Sequence, residues 1–492
     1  MQKIYSKTLQ LGIAFFTLFS CTKNVPIDED LDKFPPIFPD YTEVTIPANI
    51  APLHFRLTDS LDCSEAYACF ETSSGSIKAE AKAKQFTISS SGWEKLMAEA
   101  KGGAVQVTVV VKRNEKWIAY KPFNLYVATE PVDPYIAYRL IEPGYETWGK
   151  MGIYQRCLES YKQTPVAINE ITNNNCMNCH SFCMQSPDKM LFHMRKDFGG
   201  TFLIDGDQVE KLNTKTPQTI SPLVYPSWHP SGNFVGFSVN ETQQMFHSTD
   251  HNRIEVFDYK SDVVIYDVRK HEIFTSPLLF SKSAFETFPA FSSNGETLYY
   301  CSADSVTMPD DYEKAKYSLC ALSFDAETRQ FGDKVDTLYH ACKNGKSVSF
   351  PRVSPDGRYL MFTLFDYGNF SIWHREADLY LLDLSNNMIT ALDALNSDET
   401  ESYHSWSSNS RWVVFSSRRI DGLYTHPFIA HIDENGKASK PFLLPQDNAN
   451  YYMQLMKSFN IPEFVKGKIK KSTYQITRKA RNDKGIDVLF RE

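Results

Sequence analysis

A recurring segment constrains the fold of this chain more than any other sequence feature. Each copy has an aromatic residue, usually a proline after it, a polar turn, and then an alternating apolar strand. Ser-Gly, Asn-Gly and Asp-Gly at the turns supply the positive φ that a tight hairpin needs. Four copies are clear, and they begin at Tyr225, Phe288, Phe350 and Tyr403.

A fifth copy is predicted to begin at Phe182, where "FCMQSPDKMLFHM" matches "FPRVSPDGRYLMF" from Phe350. Successive copies begin 43 to 63 residues apart, and a four-stranded unit needs roughly 40–45 residues. Such units cannot bury their faces alone, so they stack into a ring. We expect a sixth unit from about Tyr138 to Ile171, closed by a strand from the C-terminal "YQITRKA" or "IDVLF".

These repeats resemble those of TolB-like (WD40-like) β-propellers, whose signature is an aromatic residue, Pro, an aromatic or apolar residue, then Ser-Pro-Asp-Gly. The resemblance covers about Phe182 to Pro445, and only the copy from Phe350 has the full turn. It implies an all-β fold with a six-bladed propeller over residues 135–492, with seven blades as the alternative. It also implies that Phe182-Cys183-Met184 starts an innermost strand lining a central channel.

An N-terminal unit precedes the repeats, over residues 41–132. Segments such as "YTEVTIP", "AVQVTVVVKR" and "PFNLYVA" alternate like strands, and "GWEKLMAEAK" is a candidate short helix. This pattern predicts an immunoglobulin-like β-sandwich with a structural or spacing role. Pro131-Val132-Asp133-Pro134 marks the boundary.

The N-terminus indicates export. Lys3 and Lys7 precede an apolar run that is too short to span a bilayer. Leu18-Phe19-Ser20-Cys21 resembles a bacterial lipobox, which implies a signal peptide over residues 1–21 and lipidation of Cys21. The alternative is a plain cleaved signal with Cys21 incidental. Residues 22–40 are acidic and proline-rich, so we expect a linker that buries no core.

Location and charge narrow the function classes. A lipid anchor predicts a bacterial envelope protein, on the outer membrane facing the periplasm or at the cell surface. The net charge of −7 without a strongly basic face argues against nucleic acid as a partner. Gly-x-Ser-x-Gly, His-Glu-x-x-His and Walker motifs are absent from the sequence, which favours a binding or electron-transfer protein over an enzyme.

The pentapeptide Cys176-Met177-Asn178-Cys179-His180 is the attachment motif of a c-type haem. Cys176 and Cys179 would form thioethers to the haem, and His180 would be the proximal iron ligand. Chance produces such a match on the order of 0.005 times in this chain. We expect the motif on a loop, residues 176–180, that feeds a propeller strand. His193 and Met194 are the nearest candidates for a sixth iron ligand.

Other interpretations of the two cysteines remain open. They are a structural disulfide, half of a zinc site that lacks a second Cys or His pair, or a thioredoxin-like redox pair without its βαβ context. Ten cysteines in an exported chain indicate an oxidising compartment. Setting aside Cys21 and the motif pair leaves an odd number, so at least one further thiol is free. Cys63 and Cys69 are close enough in sequence to be bridged.

The preferred hypothesis is a membrane-anchored propeller with one haem c that transfers electrons or senses redox state with an envelope partner. The alternative is a non-haem TolB-like scaffold that binds a protein or glycan, with Cys176 and Cys179 as a disulfide. A catalytic use of the haem, for instance on peroxide, is a third hypothesis. Arg352 and His404 are candidates to line the channel, whereas Trp228 and Trp406 are expected to pack between blades.

Overall fold

The computed structural model describes residues 26–142 and 149–491. Cys21 and the predicted signal peptide lie outside the described residues. Within the described part of the chain, no helix is long and apolar enough to cross a membrane. Over the described residues the fold is all-β, as the alternating sequence pattern predicts, with four short α-helices between its strands.

The N-terminal unit is one continuous sheet of ten strands. Alternation decides which face is buried: Val105, Val107 and Val109 on the central strand are all buried in one core. The strands are β1 (Glu29–Leu31), β2 (Ile37–Phe38), β3 (Val44–Pro47), β4 (Phe55–Leu57), β5 (Glu65–Glu71), β6 (Ser76–Lys82), β7 (Gln85–Phe86), β8 (Ala104–Arg113), β9 (Lys116–Tyr120) and β10 (Phe123–Ala128).

The short helix expected in this unit is confirmed as α1 (Ser90–Ala100). Its buried residues Trp93, Leu96, Met97 and Ala100 follow helical spacing and face the sheet. An immunoglobulin-like sandwich consists of two sheets packed face to face, whereas the strands of this unit form one hydrogen-bonded sheet. The immunoglobulin-like architecture therefore stays a prediction.

The prediction that residues 22–40 form only a linker is wrong for part of that range. Strand β1 pairs in parallel with β9, and β2 pairs with β4. Pro35, Ile37 and Pro39 are buried. Composition misled here because the acidic side chains of β1 stay exposed at the sheet edge while the backbone supplies the pairing.

Six further sheets of four or five strands follow, and each is antiparallel except where a short C-terminal strand joins its outer edge. In chain order, sheet 1 contains β11 (Tyr135–Ile141), β12 (Gly152–Cys157) and β13 (Gln163–Ile168), and sheet 2 contains β14 (Met177–Phe182), β15 (Lys189–Met194), β16 (Gly200–Asp205) and β17 (Gln208–Asn213). Sheet 3 contains β18 (Val224–Trp228), β19 (Phe234–Phe246), β20 (Ile254–Asp267) and β21 (Glu272–Phe274), and sheet 4 contains β22 (Ala284–Phe291), β23 (Thr297–Asp304), β24 (Ser318–Asp325) and β25 (Gln330–Tyr339). Sheet 5 contains β26 (Ser347–Val353), β27 (Tyr359–Phe365), β28 (Asp378–Asp383) and β29 (Met388–Ala391), and sheet 6 contains β30 (Glu401–Trp406), β31 (Trp412–Ser417), β32 (His426–His431) and β33 (Phe442–Leu443).

The inner strand of sheet 1 comes from the far end of the chain. It is β34 (Ser458–Val465), which pairs with β11. Strands β14, β18, β22, β26 and β30 are the inner strands of the other sheets, and each contacts the next. Because β30 also contacts β34, and β34 contacts β14, the six inner strands form a closed, propeller-like ring around a channel.

The closing segments expected from the sequence are corrected by this arrangement. "YQITRKA" lies in α4 (Thr473–Asn482), whose capping box joins Ser472 and Gln475. "IDVLF" forms β35 (Ile486–Asp487) and β36 (Leu489–Phe490), which extend the outer edges of sheets 2 and 3. The remaining helices are α2 (Ala341–Asn344) and α3 (Tyr451–Gln454).

The N-terminal unit packs against sheet 6. The Asp133 carboxylate accepts hydrogen bonds from the Ser408 backbone N–H and hydroxyl, both at 2.7 Å. The Trp412 indole donates to the Glu130 carbonyl at 3.1 Å, and the Tyr41 hydroxyl donates to the Leu443 carbonyl at 3.2 Å. The pockets of the channel described below are lined by residues of the ring and by none of the N-terminal unit.

Candidate sites in the central channel

Each inner strand carries a bulge at one equivalent residue, where the pairing with the neighbouring strand shifts register. The residue at the bulge has a φ between 50° and 54°, which is uncommon for a residue other than glycine. Because the same bulge and the same φ recur in all six inner strands, the bulge is a regular element of the repeat. The six bulge residues are Cys179, Tyr225, Phe288, Phe350, Tyr403 and Ile461.

This geometry corrects the sequence alignment of sheet 2. Cys179-His180, and not Phe182-Cys183, occupies the position of Phe350-Pro351. Segment 183–189, which joins the paired residues Phe182 and Met190, is one residue longer than segment 354–359 of sheet 5. It also contains a 3₁₀ turn, Cys183–Gln185. The Ser-Pro-Asp match therefore drew the alignment three residues out of register on the inner strand.

The haem-type motif consequently lies on an inner strand and not on a loop. Cys179 and His180 belong to β14, and Cys176 immediately precedes it. The prediction of a loop at 176–180 was wrong because a Cys-rich, Asn-rich segment lacks the β-branched residues that mark strands. The ring of neighbouring inner strands imposes the extended conformation instead.

The bulge residues line a small cavity, which we call the upper cavity. Four of them are aromatic and touch in sequence around the channel, with ring centroids 4.7 Å apart for Tyr225 and Phe288, and 4.3 Å for Phe288 and Phe350. The fourth ring, Tyr403, lies 5.0 Å from Phe350. The remaining lining includes Cys179, His180 and Arg139. The cavity volume is about 50 Å³.

His180 is the most unusual side chain of the upper cavity. It is 1% exposed, and neither ring nitrogen has a hydrogen-bond partner among the described residues. Burial, reinforced by the Arg139 charge, lowers the His180 pKa to about 3, while the nearby Ile461 main chain opposes the shift without making a hydrogen bond of ordinary geometry. The imidazole is therefore neutral at physiological pH, with both nitrogens uncompensated.

The two motif cysteines are buried free thiols. Burial raises the pKa of both, and the Arg139 and Arg195 charges oppose that rise. In this structure Cys176 and Cys179 are not bonded to each other, and Cys63 forms no disulfide, so the Cys63–Cys69 bridge is not present. Among the described residues, no cluster of three or more His, Cys, Asp or Glu side chains is placed to hold a metal ion.

The donor atoms of this site fit a c-type haem, but the volume of the upper cavity is too small for one as the side chains now stand. Two unbonded thiols and a neutral, unpartnered imidazole are the groups that haem attachment uses. Pockets for large ligands measure roughly 300–1,000 Å³, however, and the upper cavity has about 50 Å³. A haem on these residues therefore requires the channel-lining side chains to move outward from their present positions.

The structure does not bring the other candidate ligands into the upper cavity. His193 lies on β15, is 5% exposed, and its Nδ1 is 3.2 Å from the Thr201 hydroxyl. Met194 is fully buried in the core between sheets 1 and 2. His404 is buried at the proline position of sheet 6, where its Nε2 is 3.0 Å from the Met361 carbonyl oxygen. Of the two channel candidates, only Arg352 lines the channel.

A second, more open site lies where the inner strands end, and we call it the lower pocket. Its volume is about 130 Å³. Trp228 and Trp406 line it and also pack between sheets as expected, since their indole N–H groups donate to the Ser181 and Arg352 carbonyls at 3.2 and 3.1 Å. The residues two positions after the bulges surround it: Ser181, Ser227, Ala290, Arg352, Ser405 and Glu463.

Sequence reasoning missed several of these residues. Arg139, Gln185 and Glu463 carry no motif of their own. The signal for Glu463 was "FNIPEF", in which Ile461-Pro462 repeats the pattern of a bulge residue followed by proline. It lacks the following hairpin turn, because β34 is a single closing strand.

Comparisons with known proteins find distant structural similarity only. No family model matches the chain, and no curated protein matches it. Among solved structures it is similar to TolB from Acinetobacter baumannii, with a TM-score of 0.43 and 13% identity over 77% of this chain and 85% of that one. It is also similar to an oligogalacturonate lyase in complex with manganese (TM-score 0.36, 11% identity, 62% and 72% covered) and to a puromycin hydrolase (0.38, 11%, 63% and 45%).

These neighbours are TolB-like and related β-propeller proteins. The chain's own sheets and their contacts give an all-β, propeller-like fold. Identities this low bear on the fold alone, so every statement about its sites rests on its own residues.

Proposed function

We propose that the protein carries a c-type haem, attached through Cys176 and Cys179 with His180 as an iron ligand, and acts in electron transfer or redox sensing. The single observation that carries the proposal is His180, buried in the channel with two unpartnered ring nitrogens. Leaving one such group unpaired costs about 1–3 kcal/mol. An iron ligand role accounts for that arrangement.

The chain's own residues have defined parts in this proposal. The thiols of Cys176 and Cys179 provide the covalent links, and the neutral His180 provides a nitrogen lone pair. Tyr225, Phe288 and Phe350 exclude water from the channel beside them. When bound, the haem supplies a one-electron redox couple.

A second candidate is a propeller scaffold without haem that binds a protein or glycan partner in the cell envelope. The small volume of the upper cavity favours it, because the aromatic ring already closes the channel there. The buried, unbonded thiols would then be available to form the predicted disulfide on oxidation.

One preparation separates the two candidates. The full chain is produced in cells with a c-haem maturation system, and the denatured protein is examined by pyridine-haemochrome spectroscopy. The haem proposal expects covalent haem in the wild type and none in a Cys176→Ala, Cys179→Ala double variant. The haem proposal would be contradicted by wild-type protein that has no Soret band and whose tryptic peptide carries free or disulfide-bonded cysteines. The scaffold without haem would then be the remaining candidate.

We also propose the finer architecture and location. Six inner strands in a closed ring support six blades over seven. Lipidation of Cys21 would anchor the protein in the envelope, with the outer membrane facing the periplasm as the proposed site. A Cys21→Ala variant is then expected in the soluble fraction, and its persistence in detergent-extractable membrane would contradict the anchor.

A further inference from the structure

The lower pocket holds two opposite charges that do not pair with each other. Of the six residues that surround it two positions after the bulges, four are Ser or Ala, and the others are Arg352 and Glu463. Among the described residues, no carboxylate lies within ion-pair distance of Arg352, and no cation lies within that distance of Glu463. Small neighbours leave open space between the two charged groups.

Both charged groups are held in place by the backbone. The Glu463 Oε2 accepts a hydrogen bond from the Phe182 N–H at 3.1 Å, and the Arg352 Nη1 donates to the Pro351 carbonyl at 3.4 Å. These contacts use one of the five guanidinium donors and one side of the carboxylate. The remaining donors and acceptors are free to bind a molecule in the pocket.

The surroundings make this separation unfavourable without a ligand. Burial lowers the pKa of Arg352 and raises that of Glu463 to about 7, while each charge favours the charged form of the other. Both residues are half-buried and line the open volume of the lower pocket. Separated charges in such an environment are stabilised by opposite charges placed beside them.

A third polar group lacks a partner at the same place. Among residues 26–142 and 149–491 the Gln185 Oε1 is buried without a hydrogen-bond partner, while its Nε2 donates to the Trp406 carbonyl at 3.4 Å. Gln185 lies on the 3₁₀ turn of sheet 2 and lines the lower pocket. A buried carbonyl oxygen of this kind is an acceptor for an N–H group.

We propose that the lower pocket binds a small zwitterion of the α-amino acid class. Its carboxylate binds the Arg352 guanidinium, and its ammonium group binds Glu463 and Gln185. The volume agrees with such a ligand: about 130 Å³ accommodates on the order of ten water molecules, which is close to the number of non-hydrogen atoms in a mid-sized amino acid.

The charge pattern also predicts selectivity. A simple carboxylate pairs with Arg352 and leaves Glu463 uncompensated, and a simple amine does the reverse. Only a molecule with both groups satisfies both side chains, so discrimination comes from the charge that the wrong ligand leaves unpaired. This inference rests on the lower pocket as the structure shows it, without haem, although Arg352 also lines the adjacent upper cavity.

Isothermal titration calorimetry of the full wild-type chain tests the proposal at pH 8. The probes are glycine, L-alanine, L-serine and L-leucine, with acetate and methylammonium as half-ligands. At least one amino acid is expected to bind, and at least tenfold more tightly than either half-ligand. Absence of binding by all four amino acids, or acetate binding as tightly as the best of them, would overturn the proposal.

Variants locate the binding. Arg352→Met and Glu463→Gln are each expected to weaken amino acid binding at least tenfold, because each removes one charge; Gln keeps the shape of Glu, and Met keeps an unbranched stem in place of that of Arg. Arg358→Met is the matched control, since Arg358 is half-exposed on sheet 5 and does not line the pocket. Equal affinity in wild type and both pocket variants would contradict the assignment. If a variant fails to fold, the wild-type ligand series alone decides.

Discussion

Sheets 2 and 5 place different chemistry on the same backbone. Sheet 5 has Phe350-Pro351 at its bulge: an aromatic ring that closes the channel, and a proline whose side chain has no polar atom that needs a partner. Sheet 2 has Cys179-His180 at the equivalent place, which leaves a smaller side chain at the channel and two unpartnered ring nitrogens behind it. Sheet 5 therefore satisfies the demands of the fold, whereas sheet 2 departs from them where a ligand would bind.

Removing the His180 imidazole from sheet 2 should have the largest effect of the changes considered, and it should act on the haem spectrum. His180→Ala is expected to abolish the low-spin visible spectrum of the haem-loaded protein, because the variant has no imidazole to bind iron. Visible spectroscopy of matched preparations measures the loss.

Cys183→Ala is the control for that experiment, and its covalent haem is expected to remain. Cys183 lies on the 3₁₀ turn after β14 and packs with Leu191 and Trp228, away from the upper cavity. Loss of haem in this variant, or an unchanged spectrum in His180→Ala, would contradict the assignment.

The same position in sheet 6 isolates the effect of a buried histidine. Burial lowers the His404 pKa to about 3. Between that pH and about pH 6.5, His404 is therefore neutral in the folded protein but protonated in the unfolded chain. The wild type should thus lose stability relative to His404→Gln as the pH falls, by about 1.4 kcal/mol per pH unit between pH 6 and 4. Urea unfolding at several pH values measures the difference, and parallel stability curves would contradict it.

The turns of the two sheets differ as well. Gly357 in sheet 5 has a φ of 75°, and a Cβ there would collide with the Ser293 hydroxyl. Gly357→Val is expected to lower the free energy of unfolding by about 2 kcal/mol or more. Lys189→Val, at the first residue of β15 in sheet 2, should cost less than about 1 kcal/mol, since it removes mainly a partly exposed ion pair with Asp205. Similar losses in both variants would contradict the comparison.

The smallest expected effect concerns the lower pocket, where sheet 5 contributes Arg352 and sheet 2 contributes Ser181. With a Glu463 pKa of about 7, ionised Glu463 rises from a small to a large fraction between pH 6 and 8. Amino acid affinity should increase about tenfold over that range, because only the ionised carboxylate binds ammonium. A pH-independent affinity in calorimetry would exclude this role for Glu463.

Local chemistry made part of the fold predictable. The turns at Gly232, Gly295 and Gly357 have φ values of 69°, 80° and 75°, which confirms that they need a positive φ. Their dipeptides determine backbone conformation within a few residues, so sequence was sufficient. The pentapeptide at Cys176 was equally visible as a local pattern.

Pairing between distant segments was not predictable in the same way. The register of β14 and the role of β34 depend on neighbouring strands, and "FNIPEF" gives no turn signal for the closing strand. "YQITRKA" alternates like a strand, yet Ile476 and Ala480 are buried at helical spacing behind the Ser472 cap. The two charged residues of the lower pocket, 352 and 463, line the same pocket only because the ring places their strands around one channel.

The closing strand also determines when the chain can finish folding. Three strands of sheet 1 come from residues 135–168, and the fourth comes from residues 458–465. Because a chain is made from its N-terminus, the four antiparallel strands of each of sheets 2 to 6 are made before β34 exists, and only the edge strands β35 and β36 come after it. Until then β11 has an unpaired edge, which is open to pairing with other chains. A nascent chain that stops before residue 458 therefore has nearly all of its sheets and an open ring.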